Sequence, residues 1–242
     1  MSRYQKFSCT YFAAIAKDIT HIVERFERGF RIGNLLVPHI ETLNLPCYSN
    51  KLITFKHYYL CVDEMIVTVV RSSTLTIYNT LQFQKCIADV RISWSGDFFC
   101  VIGSLDVPSF VCDENGIKGE LLVAKKMLRE TPLPVCGSYA RFGDLVYYTG
   151  QVIYLKDEVL YKCDNLEDCI IDCCLTIDGN VCALIYGYRS VSMRVEYIQQ
   201  NQNHYCFPLI DQYARSIALS EDGYLLVAND IKKLLKINTH FL

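Results

Sequence analysis

The chain has 242 residues, 51% hydrophobic and 21% charged, with a net charge of −2 at pH 7. This is the composition of a folded domain with a sizeable core and not of a disordered chain. It offers no overall basic field to hold a nucleic-acid backbone, and no apolar run approaches the ~20 residues that a membrane helix needs.

The N-terminal residues Met1 to Phe7 lack the hydrophobic centre of a signal peptide, and the apolar stretch 9–16 stops at Lys17 and Asp18. Residues 11–16, 19–26 and 30–36 are expected to be three strands of a weak first unit spanning 1–36. Residues 37–50 contain Pro38 and Pro46 and read as a long connection. Clearer units then run over 51–242. Within them, 58–62, 65–71, 74–78 and 81–86 are four β-rich runs separated by turn residues. Further strands are expected at 158–163, 180–186, 191–198, 204–209 and 234–237. Residues 119–129 have helical spacing and read either as a short inserted helix or as an outer strand with a loop.

One segment recurs. Cys86-Ile87-Ala88-Asp89-Val90-Arg91-Ile92-Ser93-Trp94-Ser95-Gly96 returns 83 residues later as Cys169-Ile170-Ile171-Asp172-Cys173-Cys174-Leu175-Thr176-Ile177-Asp178-Gly179. Its end returns again as Ile217-Ala218-Leu219-Ser220-Glu221-Asp222-Gly223. Each copy is an apolar strand, a tight Gly turn and a second apolar strand. The turn glycines Gly96, Gly143, Gly179 and Gly223 are 47, 36 and 44 residues apart, and Asp63-Glu64 reads as one more such turn. A period of roughly 40–45 residues with four strands per unit is the sequence signature of a β-propeller. A four-stranded blade is apolar on both faces and is stable only when stacked between neighbours around an axis.

On these strand–(Ser/Asp)-Gly–strand hairpins the chain resembles a divergent WD40-type β-propeller. The resemblance covers about 58–240 well and 1–36 weakly. It implies an all-β fold: a single domain over 1–242 of about six four-stranded blades, open or closed by a terminal strand. Tyr4 to Cys9 or the C-terminal tail would close the ring; otherwise a partner donates the strand. The departures are that no Trp-Asp and no Gly-His dipeptide occurs, Trp94 being the single tryptophan. Asp89 and Asp172 stand just before the expected innermost strands, where the family often places a polar turn residue.

The chemistry-bearing residues are sparse. The 13 cysteines contain no Cys-x-x-Cys pair, and the five histidines are scattered, so no metal or cofactor is expected. Most cysteines fall inside apolar strand patterns, as small buried hydrophobes do, and no Asn-x-Ser/Thr sequon occurs. A reducing compartment, cytoplasmic or nuclear, is expected. Asp63, Asp97, Asp144, Asp178 and Asp222 recur with the turns, where they satisfy local backbone donors. No nucleophile elbow and no phosphate loop is present, so no catalytic residue is assigned. Phe26-Glu27-Arg28-Gly29 is similar to the Phe-Arg-Arg-Gly motif of phosphoinositide-binding propellers, with Glu in place of the first Arg.

The leading expectation is a non-catalytic interaction scaffold, a propeller subunit of a larger intracellular assembly whose partners are other proteins. Its binding residues, chosen from loop and strand-end positions, are His57, Arg71, Asp89, Tyr188, Arg189 and Arg215. Some of the 17 tyrosines are expected to serve there too. One alternative is an enzyme working in the central cleft. Another is a membrane-lipid adaptor acting through Arg25, Arg28 and Arg31. The short basic clusters Lys125-Lys126 and Lys232-Lys233 read as ordinary polar edges and not as nucleic-acid sites.

Overall fold

The computed structural model describes residues 30–32, 35–93, 96–103, 108–120, 136–139, 145–156, 158–176, 178–188, 191–209 and 213–238. Among them are twenty-two strands and no helix. β1 (Phe30–Ile32) and β2 (Leu35–Val37) pair as a hairpin, and β3 (Ile40–Asn44) follows. β4 (Lys51–Phe55), β5 (Tyr58–Asp63), β6 (Ile66–Arg71) and β7 (Ile77–Gln82) form the first four-stranded sheet. β8 (Ile87–Ile92), β9 (Phe99–Gly103), β10 (Phe110–Asp113) and β11 (Gly116–Glu120) form the second. β12 (Cys136–Tyr139), β13 (Leu145–Thr149), β14 (Val152–Leu155) and β15 (Glu158–Lys162) form the third. β16 (Asp168–Leu175), β17 (Val181–Gly187), β18 (Ser192–Ile198) and β19 (His204–Leu209) form the fourth, which the β1–β2 hairpin extends to six strands, β2 running parallel to β19. β20 (Ala214–Leu219), β21 (Leu225–Asn229) and β22 (Lys233–Ile237) make the fifth, and β3 completes it antiparallel to β22.

The sheets follow one another around a ring because each is apolar on both faces. In β17 five successive residues, Val181 to Ile185, are fully buried, and β21 repeats this from Leu225 to Asn229. Four hydrophobic clusters fill the seams. Phe55, Val67 and Leu81 meet Val90, Phe99 and Val101 between the first and second sheets. Val146, Ile153 and Tyr161 meet Cys173, Val181 and Ile185 between the third and fourth. Leu184, Val195 and Phe207 meet Ile217, Val227 and Ile237 between the fourth and fifth. Leu52, Tyr59 and Cys61 meet Ala218, Leu226 and Leu234 between the first and fifth, which closes the circle. The second and third sheets meet where β8 and β12 lie side by side. Each fully buried aliphatic side chain contributes about 1.5–3 kcal/mol, so the seams hold the ring together.

The all-β propeller arrangement expected from the sequence is present. The expected count of about six blades is not reached among the described residues, which form five sheets. The strands expected at 11–16 and 19–26, and the closing candidate Tyr4 to Cys9, lie outside the described residues. The closing strand is instead β3, inside the stretch expected as a connection: Ile40 and Leu43 pack inward while Glu41, Thr42 and Asn44 face out. Pro38 and Pro46 bracket it, which hid a five-residue strand in a loop-like context. In the first sheet the innermost strand is β4, so its first turn is at Lys56-His57, and Asp63-Glu64 is the turn after it. The runs expected at 74–78 and 81–86 merge into β7, because Leu75 takes a left-handed φ of 52° and donates its N–H to Arg71 in a turn. The repeated segments behave as expected. Gly96, Gly179 and Gly223 turn at φ of 73°, 76° and 82° after β8, β16 and β20.

Candidate functional site

The innermost strands carry one device three times. β8, β16 and β20 each bulge near their start, at Ala88, Ile171 and Arg215, as the register shifts against the second strand show. A bulge frees backbone groups and turns the next side chain toward the neighbouring sheet. That next residue is Asp89, Asp172 or Ser216. Asp89 and Asp172 therefore sit inside their strands, not in turns before them. Each accepts its successor's N–H, from Val90 at 2.8 Å and from Cys173 at 3.0 Å.

These residues link the sheets. Ser216 Oγ donates to Asp172 at 2.6 Å, and Ile217 N–H donates to the same oxygen at 3.0 Å, joining fifth sheet to fourth. Ser216 Oγ accepts the Leu52 N–H at 3.0 Å, joining first to fifth. Lys51 Nζ lies 2.5 Å from Asp89, joining first to second, and Arg91 pairs with the other Asp89 oxygen at 2.7 Å. The Tyr148 hydroxyl donates to the Ile171 carbonyl at the bulge, joining third to fourth. Burial pushes the Asp172 carboxyl above its usual range, against the opposing pull of Lys51 and its three donors. Among the described residues, these polar groups of the innermost strands are thus engaged with one another.

Antiparallel strands send alternate loops to opposite ends of a sheet, so the ring has two rims. The first rim carries the connections entering each innermost strand and the turns from second to third strand. The second rim carries the other turns. On the first rim, over the fourth, fifth and first sheets, stand Leu166, Tyr188, Val191, Tyr213, Ile231 and Tyr48, each more than half exposed. Elsewhere among the described residues the exposed large apolar side chains are Phe98 on the second rim and Ile77, Tyr78, Ile117 and Val159 on outer strands. The first-rim group is held in place. Tyr188 packs edge-on to Tyr186 at 4.9 Å, Lys232 Nζ lies 4.4 Å from the Tyr48 ring centroid, and Arg215 pairs with Asp230 at 3.2 Å. Val191 has a φ of 47°, a conformation that a β-branched residue rarely adopts and that marks local strain.

The expected binding residues divide between the rims. Tyr188 and Arg215 lie on the first. Asp89 lies on the inner strand and is consumed by Lys51 and Arg91. His57 and Arg71 lie on the second. There the His57 carbonyl accepts from Ser72, its ring Nδ1 is 3.3 Å from Glu221, and Arg71 sits 5.0 Å from the Tyr78 ring centroid. Arg189, Arg25 and Arg28 lie outside the described residues. Arg31 is in β1, where its backbone pairs with Leu36. Sequence reasoning missed Leu166, Val191, Tyr213, Ile231 and Tyr48. The available signal was their position: each is a large apolar residue in a turn or connection, where polar residues are the rule.

No protein-family model and no curated protein matches the chain. A glutaminyl cyclase of Myxococcus xanthus is similar in structure, with 9% identity, a TM-score of 0.52, and 83% of this chain and 95% of that one covered. The fold is a β-propeller. The WD40 β-propeller domain of Doa1 is 12% identical over 78% of this chain and 63% of that one, at a TM-score of 0.40. The β-propeller domain of Myceliophteria thermophila Cps50 (Swd1) is 13% identical over 78% and 64%, also at 0.40. The chain thus spans less than two thirds of the length of these two propeller chains.

Proposed function

We propose that the chain is a non-catalytic interaction platform, a propeller subunit of a larger intracellular assembly, and that its first rim receives a protein partner. The observation that carries this reading is the run of exposed Leu166, Tyr188, Val191, Tyr213, Ile231 and Tyr48 across three successive sheets. Large apolar side chains exposed on one rim are what an interaction surface presents, and tyrosine is enriched among residues that dominate binding energy. The engagement of Lys51, Asp89, Arg91, Asp172 and Ser216 with one another supports a structural axis over a reactive one, since catalysis in a central cleft needs groups free to meet a substrate.

The test compares variants on the two rims. The double substitution Tyr213→Glu with Ile231→Glu places two charges on the first rim, and Phe98→Glu places one on the second. Each is used to capture partners from the native cell, with thermal unfolding as the control for folding. Stoichiometric partners fall about tenfold or more with the first-rim variant and stay with Phe98→Glu, as expected for loss of interface-centre residues. Equal retention by both, or equal loss, contradicts the reading.

A further inference from the structure

The fifth sheet's section of the first rim differs from its neighbours in charge. The Asp230 N–H donates to the Tyr213 carbonyl at 3.2 Å, which holds the connection entering β20 against the turn that carries Ile231. The Lys232 carbonyl accepts the Leu45 N–H at 2.7 Å, which holds the same turn against the connection leaving β3. Tyr213, Ile231 and Tyr48 thus belong to three segments tied together by backbone, and each is more than half exposed. Among the described residues of these segments the charged ones are Arg215, Asp230, Lys232 and Lys233, an excess of positive charge on a chain whose net charge is −2. Arg215 pairs with Asp230 at 3.2 Å while its side chain is 55% exposed, and a guanidinium has donors enough for a second carboxylate. The Lys232 ammonium lies 4.4 Å from the Tyr48 ring centroid, and a cation held on an aromatic face keeps N–H donors for an anion. Lys233 opens β22 with an exposed side chain. The sign reverses on either side: the connection entering β16 carries Asp164 and Glu167, and the turn from β5 to β6 carries Asp63 and Glu64.

We propose that this section receives a short acidic segment of the protein partner, in which aspartate or glutamate is interspersed with large apolar residues. The inference rests on the first rim being the docking face and names what docks there. Apolar side chains of the segment cover Tyr213, Ile231 and Tyr48, and its carboxylates meet Lys232, Lys233 and Arg215. Hydrogen bonds between ionised groups are about twice as strong as neutral ones. A cation already held on a ring also loses less freedom when it pairs, which lowers the cost of binding. The acids on the neighbouring sections confine a negative segment to the fifth sheet, because like charges facing each other across an interface are costly. They also disfavour a nucleic-acid strand. Its phosphates would run on past the basic section and meet Asp164 and Glu167 on one side, and Asp63 and Glu64 on the other. Lys232-Lys233, an ordinary polar edge by sequence alone, gains its role from the tyrosines that the fold places beside it.

The test pans a random-peptide phage library against the immobilised full chain and measures the selected peptides, made synthetically, by fluorescence polarisation. The selected peptides are expected to be rich in aspartate and glutamate among large apolar residues. Lys232→Glu with Lys233→Glu is expected to weaken their binding about tenfold or more, and high salt to weaken it severalfold. Lys233→Glu alone, which leaves the Tyr48 contact in place, is expected to show a smaller loss in the same direction. Lys156→Glu on the second rim is expected to leave binding unchanged, with thermal unfolding as the control for folding. A selection without acidic peptides, no selection at all, or binding that is indifferent to both charge reversals overturns the proposal. So does a uridine oligonucleotide that binds the chain and is lost with the same variants. Uncharged peptides that are lost only with Tyr213→Glu plus Ile231→Glu would overturn the acidic segment while leaving the first rim as the docking face.

Discussion

Asp172 shows how one side chain holds two sheets in register. Its two oxygens take the Ser216 hydroxyl, the Ile217 N–H and the Cys173 N–H, and Ser216 in turn takes the Leu52 N–H. An amide in its place keeps the shape but offers one acceptor oxygen where three donors converge. Asp172→Asn is therefore expected to cost about 1–3 kcal/mol in urea unfolding. The pH dependence has a definite sign. Burial raises the folded acid above the unfolded value of about 3.9, so the folded chain binds more protons just above that pH. Its contribution is complete below the unfolded value and falls as pH rises through the folded one. The gap between wild type and Asp172→Asn should accordingly be wider at pH 4 than at pH 7. The repetition of Asp89 and Asp172 was visible in the sequence, but their role was not. A bulge adds a residue to one strand without altering composition, so period-two patterning does not reveal where the side chain is aimed.

At the scale of elements, β3 is the piece on which closure depends. Its five residues pair with β22 from Ile40 against Ile237 to Asn44 against Lys233. Leu43→Pro removes a ladder donor and forces a φ that the strand pairing does not match. The expected outcome is a loss of about 3 kcal/mol or more in thermal or urea unfolding. A bare β22 edge should also bring concentration-dependent association in size-exclusion chromatography. Unchanged stability and a monomeric profile would show that β3 does not close the ring. Elements next to Gly96, Gly179 and Gly223 were legible because a tight turn needs a left-handed residue. At Gly179 a methyl group would also meet Gln200 at 2.8 Å. β4 was not legible, because Lys-Leu-Ile-Thr-Phe follows a Pro- and Asn-containing stretch and its own turn uses Lys56 at φ 49° with no glycine. Thr74-Leu75-Thr76 alternates like a strand but is a turn, since tertiary pairing and not local propensity decides such short runs.

For the whole molecule, the recurring strand–turn–strand unit signalled stacking, and the seams between sheets, with Val181 to Ile185 and Leu225 to Asn229 fully buried, are what that signal meant. The number of sheets was less legible, because the spacing counts units but does not say which strands enter from elsewhere in the chain. The surface was least legible. Tyr188 and Arg215 were expected and lie on the first rim, whereas His57 and Arg71 lie on the opposite one. Rim membership depends on which strand is innermost, and β4 had been missed. The central claim is that the first rim, and not the second, meets a protein partner. Hydrogen exchange of the chain with and without a captured stoichiometric partner tests it most directly. The account predicts slowed exchange at 164–167, 188 and 230–232, with 199–203 and 220–224 unchanged. Protection confined to 199–203 and 220–224, or none on either rim, would contradict it.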